Sequence, residues 1–278
     1  MPLYIVLDKN SNLGINLRGR TMLPSKIIQS SYMRIRAFFL LLLGILSCLG
    51  SCAQNNPGND LTRDQEAQSD MRLLPRYGLL EKTAEQEAAD LQFMTTTLNS
   101  EKFKGNKRAA SDHMIMLGFQ YLNRGDLKTA MYRFNQAYLL DNDNPELYWG
   151  YGAVYMSLEK YEQARLQYQA GLDLQPDNTH LLTDLGTYYV VLHFNNRAAN
   201  PAKAIASLDT AIGIFNRSFE LDKNDPNTSF KLSAAYFTKS DCANAVKFLE
   251  ICDKSGGDPV TDDYRDALAA MYNSTPKK

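Results

Sequence analysis

The chain has 278 residues, with 30 Lys and Arg against 31 Asp and Glu, a formal net charge of −1 and four cysteines. That length allows one or two domains. The near-neutral charge with no basic stripe argues against nucleic acid as a partner, and so few cysteines exclude a disulfide-built fold.

The first readable element is the run AFFLLLLGIL at residues 37–46, preceded by Arg34 and Arg36. A membrane-spanning helix needs about 20 apolar residues; this run is shorter and has the charge layout of a secretory signal peptide. Leu49-Gly50-Ser51-Cys52 stands directly behind it. It resembles the lipobox of bacterial lipoproteins, which implies lipidation of Cys52 at a new N-terminus, a membrane anchor through that lipid and a place in the cell envelope, facing either the periplasm or the outside. Ile45-Leu46-Ser47-Cys48 is the alternative match. A signal peptide over residues 33–51 starts naturally at Met33, so residues 1–32 read as a misassigned gene start. Beyond Cys52 the charge falls to −6, with 24 basic and 30 acidic side chains.

Residues 52–78 are polar and read as a flexible tether. Residues 79–99 are rich in helix formers, with Leu80, Ala84, Ala88, Leu91, Thr95 and Leu98 at helical spacing. They predict a leading amphipathic helix packed on the first repeat.

Gly118, Gly152 and Gly186 then fall 34 residues apart, each followed after three residues by Tyr121, Tyr155 or Tyr189. A fixed period of this size means stacked copies of one helical hairpin. The first copy continues through a turn at Gly125-Asp126, with Asp126 as N-cap, into Ala130, Phe134 and Ala137; the second through Glu159-Lys160 into Tyr161, Ala164, Tyr168 and Gly171. Small residues let two helix axes approach, and the rings fill the space beside them. These residues resemble the tetratricopeptide repeat family. The resemblance implies an all-α, right-handed helical solenoid of about four repeats over residues 107–254, with a non-catalytic role in binding a protein or peptide.

The third copy keeps Leu185, Gly186 and Tyr189, then carries 13 extra residues within about 193–209. Asn200-Pro201 predicts a capped helix start, so the excess reads as a longer second helix and loop, either a specific feature or a tolerated lengthening. The fourth runs from Pro226 through Leu232, Ser233, Tyr236, Ala245 and Cys252. Asn144-Pro145, Asp225-Pro226 and Asp258-Pro259 mark further helix starts, the last opening a capping helix over 258–272 that closes the solenoid against water. Cys242 and Cys252 share one predicted helix, about 15 Å apart along its axis. That exceeds the roughly 7 Å a disulfide spans, so both read as core thiols.

By the same resemblance the first helix of each repeat lines a concave groove. The candidates are Asp112, Ile115, Phe119 and Leu122; Glu146, Trp149, Ala153 and Met156; His180, Thr183, Asp184 and Thr187; and Asn227, Phe230, Lys231, Ala234 and Phe237. The family's carboxylate clamp needs Lys, Asn and Arg where this chain has Ile115, Phe119, Gly150, His180 and Asp184, so that mode is not expected. Trp149, the only tryptophan, is the expected anchor for an apolar or amphipathic segment. The same lining could instead be covered by the chain's own N-terminal segment. His180 and Asp184 stand one helical turn apart and form the only pairing suggestive of hydrolytic chemistry. No spaced nucleophile, phosphate loop or metal motif joins them, so no catalytic residue, metal or cofactor is expected.

Overall fold

A computed structural model describes residues 70–256 and 260–274. These hold ten α-helices and no strands. Helix α1 spans Ala84–Leu98, α2 Lys107–Asn123, α3 Leu127–Leu140, α4 Glu146–Ser157 and α5 Tyr161–Leu174. Helix α6 spans Thr179–Asn196, α7 Pro201–Leu221, α8 Pro226–Thr238, α9 Cys242–Lys254 and α10 Asp262–Ser274. Helices α2 to α9 form four antiparallel hairpins, each second helix packing on the first helix of the next hairpin. Successive first helices also touch, α2 to α4 to α6 to α8, whereas successive second helices do not pack comparably. The stack therefore curves with its first helices on the inside.

The spacing of the hairpins is set by aromatic rings laid on glycines. A β-carbon on Gly118 would stand 2.4 Å from the Phe134 ring, and one on Gly150, in the next repeat, also 2.4 Å from that ring. Gly152 has the same relation to Tyr168 at 2.1 Å, and Gly186 to Phe215 at 2.4 Å. One turn before each ring position stands a fully buried alanine: Ala130, Ala164, Ala211 and Ala245. The fourth repeat has Ser233 for the glycine and Leu249 for the ring. There Ser233 Oγ donates to the Ala245 carbonyl at 2.7 Å and accepts the Tyr264 hydroxyl of α10 at 2.7 Å. Burial pushes that phenol up to about 12.

Turns follow the period too. The residue that reverses the chain between the two helices is left-handed in three repeats: Gly125 (φ 80°), Glu159 (φ 58°) and Ser240 (φ 63°). Asp126, Asn200 and Asp225 cap α3, α7 and α8 as expected, each accepting main-chain N–H groups of the first turn. Asn144 also accepts from Glu146 N–H, while its amide donates to Ser111 and Asp112 of the preceding repeat.

Four expectations need correction. The extra residues of repeat three are shared between both helices: α6 has 18 residues and α7 has 21, against 12 and 14 in α4 and α5. The hairpin thus gains roughly two turns, about 10 Å, with His193 Nδ1 bonded to the Ala204 carbonyl across it at 3.0 Å. The C-terminal helix starts at Asp262, where Thr261 accepts from Tyr264 N–H, and Asp258-Pro259 lies outside the described residues. Helix α1 starts at Ala84 because Thr83 and Gln86 form a reciprocal capping box. Its inward face is Asp90, Phe93, Met94 and Leu98, while Leu91 is 61% exposed. Finally, the tether does not extend to residue 78: Asp70–Leu79 forms an ordered strap of two short turns against α3. Cys52 and the signal segment lie outside the described residues.

Replacing Gly152 with Ala forces the Tyr168 ring out of its seat and lowers stability by about 1–3 kcal/mol. Gly213→Ala, on an open face of α7 with nothing within 4 Å, raises it by about 0.5–1 kcal/mol. Urea melts of both variants check the contrast; equal midpoints would refute the ring-on-glycine account. The Tyr168 hydroxyl is buried without a partner. Tyr168→Phe, which restores the residue found at Phe134 and Phe215, therefore leaves stability unchanged or raises it by up to about 1 kcal/mol, read from the same melts.

Candidate functional site

The inner face is held by one cross-repeat stack. Trp149 of α4 lies between Phe119 of α2, with ring centroids 4.0 Å apart, and His180 of α6, nearly parallel at 4.3 Å and 14°. Its indole N–H donates to Asp184 Oδ2 at 2.8 Å. His180 Nδ1–H donates to Glu146 Oε2 at 2.9 Å, and Asn178 Nδ2 donates to Glu146 Oε1 at 2.6 Å. Three repeats are thus joined by side chains whose spacing follows the repeat, Glu146 to His180 being one full period.

The sequence candidates separate into two groups on this face. Ile115, Leu122, Ala153, Met156, Thr187 and Lys231 are buried. They support the wall and leave little surface to a partner. Phe119, Trp149, Asp184, Phe230 and Phe237 are half-buried, and the His180 side chain is 56% exposed. Phe230 and Phe237 stand apart from the tryptophan stack, both edge-on to Tyr264 at 5.3 and 5.6 Å. Lys231 faces the carboxylates of Asp184 and Asp225, but burial outweighs them and lowers its pKa.

His180 and Asp184 do not form the pair that their spacing suggested. The carboxylate on His180 is Glu146, one repeat earlier, and Asp184 is committed to the Trp149 indole. Each of the two side chains takes its partner from the neighbouring first helix, α4, across the repeat boundary. His113 contacts Lys102 and Phe103 and takes no part in this face.

A second polar site escaped the sequence reading. Asn135 of α3 is fully buried and bonds only to Tyr151 and to the main chain of the strap. Its equivalents one and two repeats on, Gln169 and Asn216, are also amides, and Gln169 is exposed. Residue type alone therefore gave no signal at this position.

Residues 121–184 match a tetratricopeptide repeat family model. A thermophilic TPR protein from Thermus thermophilus is similar in structure, with a TM-score of 0.50, 18% identity, and 59% of this chain and 82% of that one covered. The fold is a tetratricopeptide-repeat solenoid. A MamA fragment from Desulfovibrio magneticus RS-1 is also similar, with a TM-score of 0.43, 15% identity, and 61% and 85% covered. So is Pseudomonas aeruginosa pilF, with a TM-score of 0.42, 16% identity, and 67% and 90% covered. No curated protein matches the sequence. No described helix of this solenoid is long and apolar enough to cross a membrane.

The His180–Glu146 contact gives the inner face a pH signature. The hydrogen bond to Glu146 raises His180 above its ordinary 6.5, against the opposing effect of burial. Burial pushes Glu146 up, but its bonds to His180 and Asn178 and the imidazolium charge outweigh this and hold it below its ordinary 4.5. The histidine contribution is therefore complete below 6.5 and lost as pH rises through the raised value. The glutamate contribution is present above 4.5 and lost as pH falls through the lowered value. The stability gap between wild type and His180→Gln is expected to peak between those limits, at about 0.5 kcal/mol given the exposure of the pair. It should narrow as pH rises through the raised value and shrink with added salt. Thermal melts across that range check it; a gap independent of pH would mean the imidazole acts only by stacking.

Proposed function

We propose that the protein is a non-catalytic interaction scaffold of the bacterial cell envelope. It is tethered through a lipid on Cys52 and holds an apolar or amphipathic segment of another protein against its concave face. The observation that carries the recognition half is the fixed tryptophan. Trp149 is held on two faces by Phe119 and His180 and at its N–H by Asp184. A partner meeting its remaining surface orders little that is not ordered already. Preorganised aromatic side chains are the kind of residue on which interface energy concentrates. The half-buried Phe230 and Phe237 form a separate aromatic patch on Tyr264 at the far end. The address rests on the short apolar run with its lipobox-like ending. From Cys52 to Asp70 the chain can reach at most about 60 Å, enough to present the solenoid clear of a bilayer.

A second reading has one observation in its favour. The lengthened α6–α7 hairpin presents Ile205 at 59% exposure on its outer helix, as a docking arm for a permanent complex would.

A photo-crosslinking residue placed in turn at His180, Ile205 and Leu166 separates these readings in cells. Concave recognition predicts one reproducible adduct from His180, lost when Trp149→Ala is added, and none from Leu166 on α5. Adducts from Ile205 alone would transfer the contact to the arm, and silence at both positions would refute binding by either surface. The address is tested separately with a clickable fatty acid: label should enter the wild type and be lost in Cys52→Ser, with release of the protein from the membrane fraction. Retained label in Cys52→Ser would move the lipid to Cys48.

A further inference from the structure

The buried amide on α3 reads main chain and nothing else outside the solenoid. Asn135 Nδ2 donates to the carbonyls of Arg72 at 2.8 Å and Leu74 at 2.9 Å. Its Oδ1 accepts the N–H of Arg76 at 2.8 Å and the Tyr151 hydroxyl at 2.8 Å. The same Arg76 N–H lies 3.2 Å from the Tyr151 oxygen. Three main-chain groups at every second residue are therefore held by one side chain. Beside it, the Tyr132 hydroxyl donates to Asp70 at 2.9 Å, the Arg72 guanidinium lies 4.8 Å over the Tyr132 ring, and Arg76 lies 5.5 Å over Tyr148.

The segment held there is under strain. Arg76, Tyr77 and Leu79 have φ of 54°, 57° and 54°, with Gly78 at 66° between them. Consecutive left-handed residues with side chains are avoided unless something outside the turn imposes them. The strap also bridges space instead of filling it. A cleft of about 410 Å³ lies beneath it, lined by Met71, Tyr77, Lys82, Phe93 and Leu139 among others. Helix α1, the next element, buries none of its residues. Residues 70–98 are thus an arm held by main-chain recognition, opposed by backbone strain and thin packing. Its root carries two more left-handed residues, Lys104 (φ 48°) and Gly105 (φ 82°).

We propose that Asn135, Tyr132 and Tyr151 form a peptide main-chain receptor on the first repeat, that Asp70–Leu79 is its built-in ligand, and that two copies of this chain exchange these arms. The occupant is set by the fit: the segment whose Asp70, Arg72 and Arg76 match the receptor is carried by every copy. Arm exchange reuses each contact with no new surface, and a strained hinge favours it. The closed monomer and the exchanged dimer contain the same contacts, so protein concentration decides between them. The receptor is separate from the concave face, and the inference does not rest on that reading.

Two variants of the full chain divide the interaction. Arg76→Pro breaks the ligand, because proline lacks the N–H and cannot adopt that φ, and it leaves the receptor untouched. Asn135→Ala breaks the receptor and leaves the ligand. A fluorescent peptide of residues 69–80 should bind Arg76→Pro at least tenfold more tightly than it binds wild type, whose site is filled, and should not bind the double variant. Absence of binding to folded Arg76→Pro overturns the receptor. Arg76→Pro and Asn135→Ala, labelled with different dyes and mixed, should give energy transfer that neither gives alone and that excess peptide abolishes. Peptide binding without that transfer overturns exchange between copies. Circular dichroism of each variant confirms the helices; should Asn135→Ala lose them, Tyr132→Phe, which leaves its own arm intact, replaces it as the weakened receptor, and the peptide result on Arg76→Pro still decides the receptor.

Discussion

The distance between helices in this solenoid is fixed by rings that lie where side chains are missing. Phe134 fills the space above Gly118 within its own hairpin and above Gly150 in the next. One ring thus sets the pitch of a repeat and the pitch between repeats together. The fully buried alanine one turn earlier lets the backbones approach, and close packing makes any added methyl group costly. The fourth repeat shows the dependence by its exception. Once the ring becomes Leu249, the glycine is no longer required, and Ser233 occupies its place. The remaining space takes Tyr264 from α10. The terminal helix is therefore the completion of the last repeat's own packing.

The same rule explains what was legible in the sequence. Glycine, alanine and ring positions recur because each is dictated by contacts inside the repeat, and they announced the four hairpins; of the caps, Asp126, Asn200 and Asp225 were legible, whereas Thr83, Asn106, Asn178 and Asp241 were not singled out. Features set by contacts outside the period were not legible. Helix α1 offered two overlapping helical faces, and Leu91 belongs to the exposed one because Phe93 and Met94 bring more surface to α2 and α3. The extra residues of repeat three were visible as a number. Their division between α6 and α7 reflects antiparallel pairing, since a longer helix needs an equally long partner to cover it. On the inner face the first helices of the repeats lie together, as the period implies. Which residues in them stay accessible depended on curvature, and this sent Ile115, Leu122, Ala153, Met156, Thr187 and Lys231 into the wall.

On the inner face, the contacts that hold the repeats together also fix what the surface presents. Trp149 contributes to stability by stacking on two neighbours and binding Asp184, and those contacts fix the edge it leaves outward. Its polar partners, Asp184 and His180, belong to the following repeat and its apolar neighbour Phe119 to the preceding one, so the geometry of the face is coupled to the curvature of the stack. A change in spacing between α4 and α6 would move His180 and Asp184 together relative to the indole. The geometry of this face is tied to the superhelix more closely than to any single side chain.

The two ends of the solenoid are closed by different physics. At the C-terminus, Tyr264 and Leu268 are buried against α8 and α9, and apolar burial of that kind holds a helix in place without competition from water. At the N-terminus a buried amide holds main chain, while the adjoining helix α1 packs Phe93, Met94 and Leu98 only in part and buries no residue fully. Such hydrogen bonds replace others made with water, so their net contribution is modest, although leaving Asn135 unsatisfied would be costly. An end of this type must be filled, and an arm from either copy fills it with the same contacts. The dry end reads as permanent, and the polar end, toward Cys52, is where the fold admits exchange.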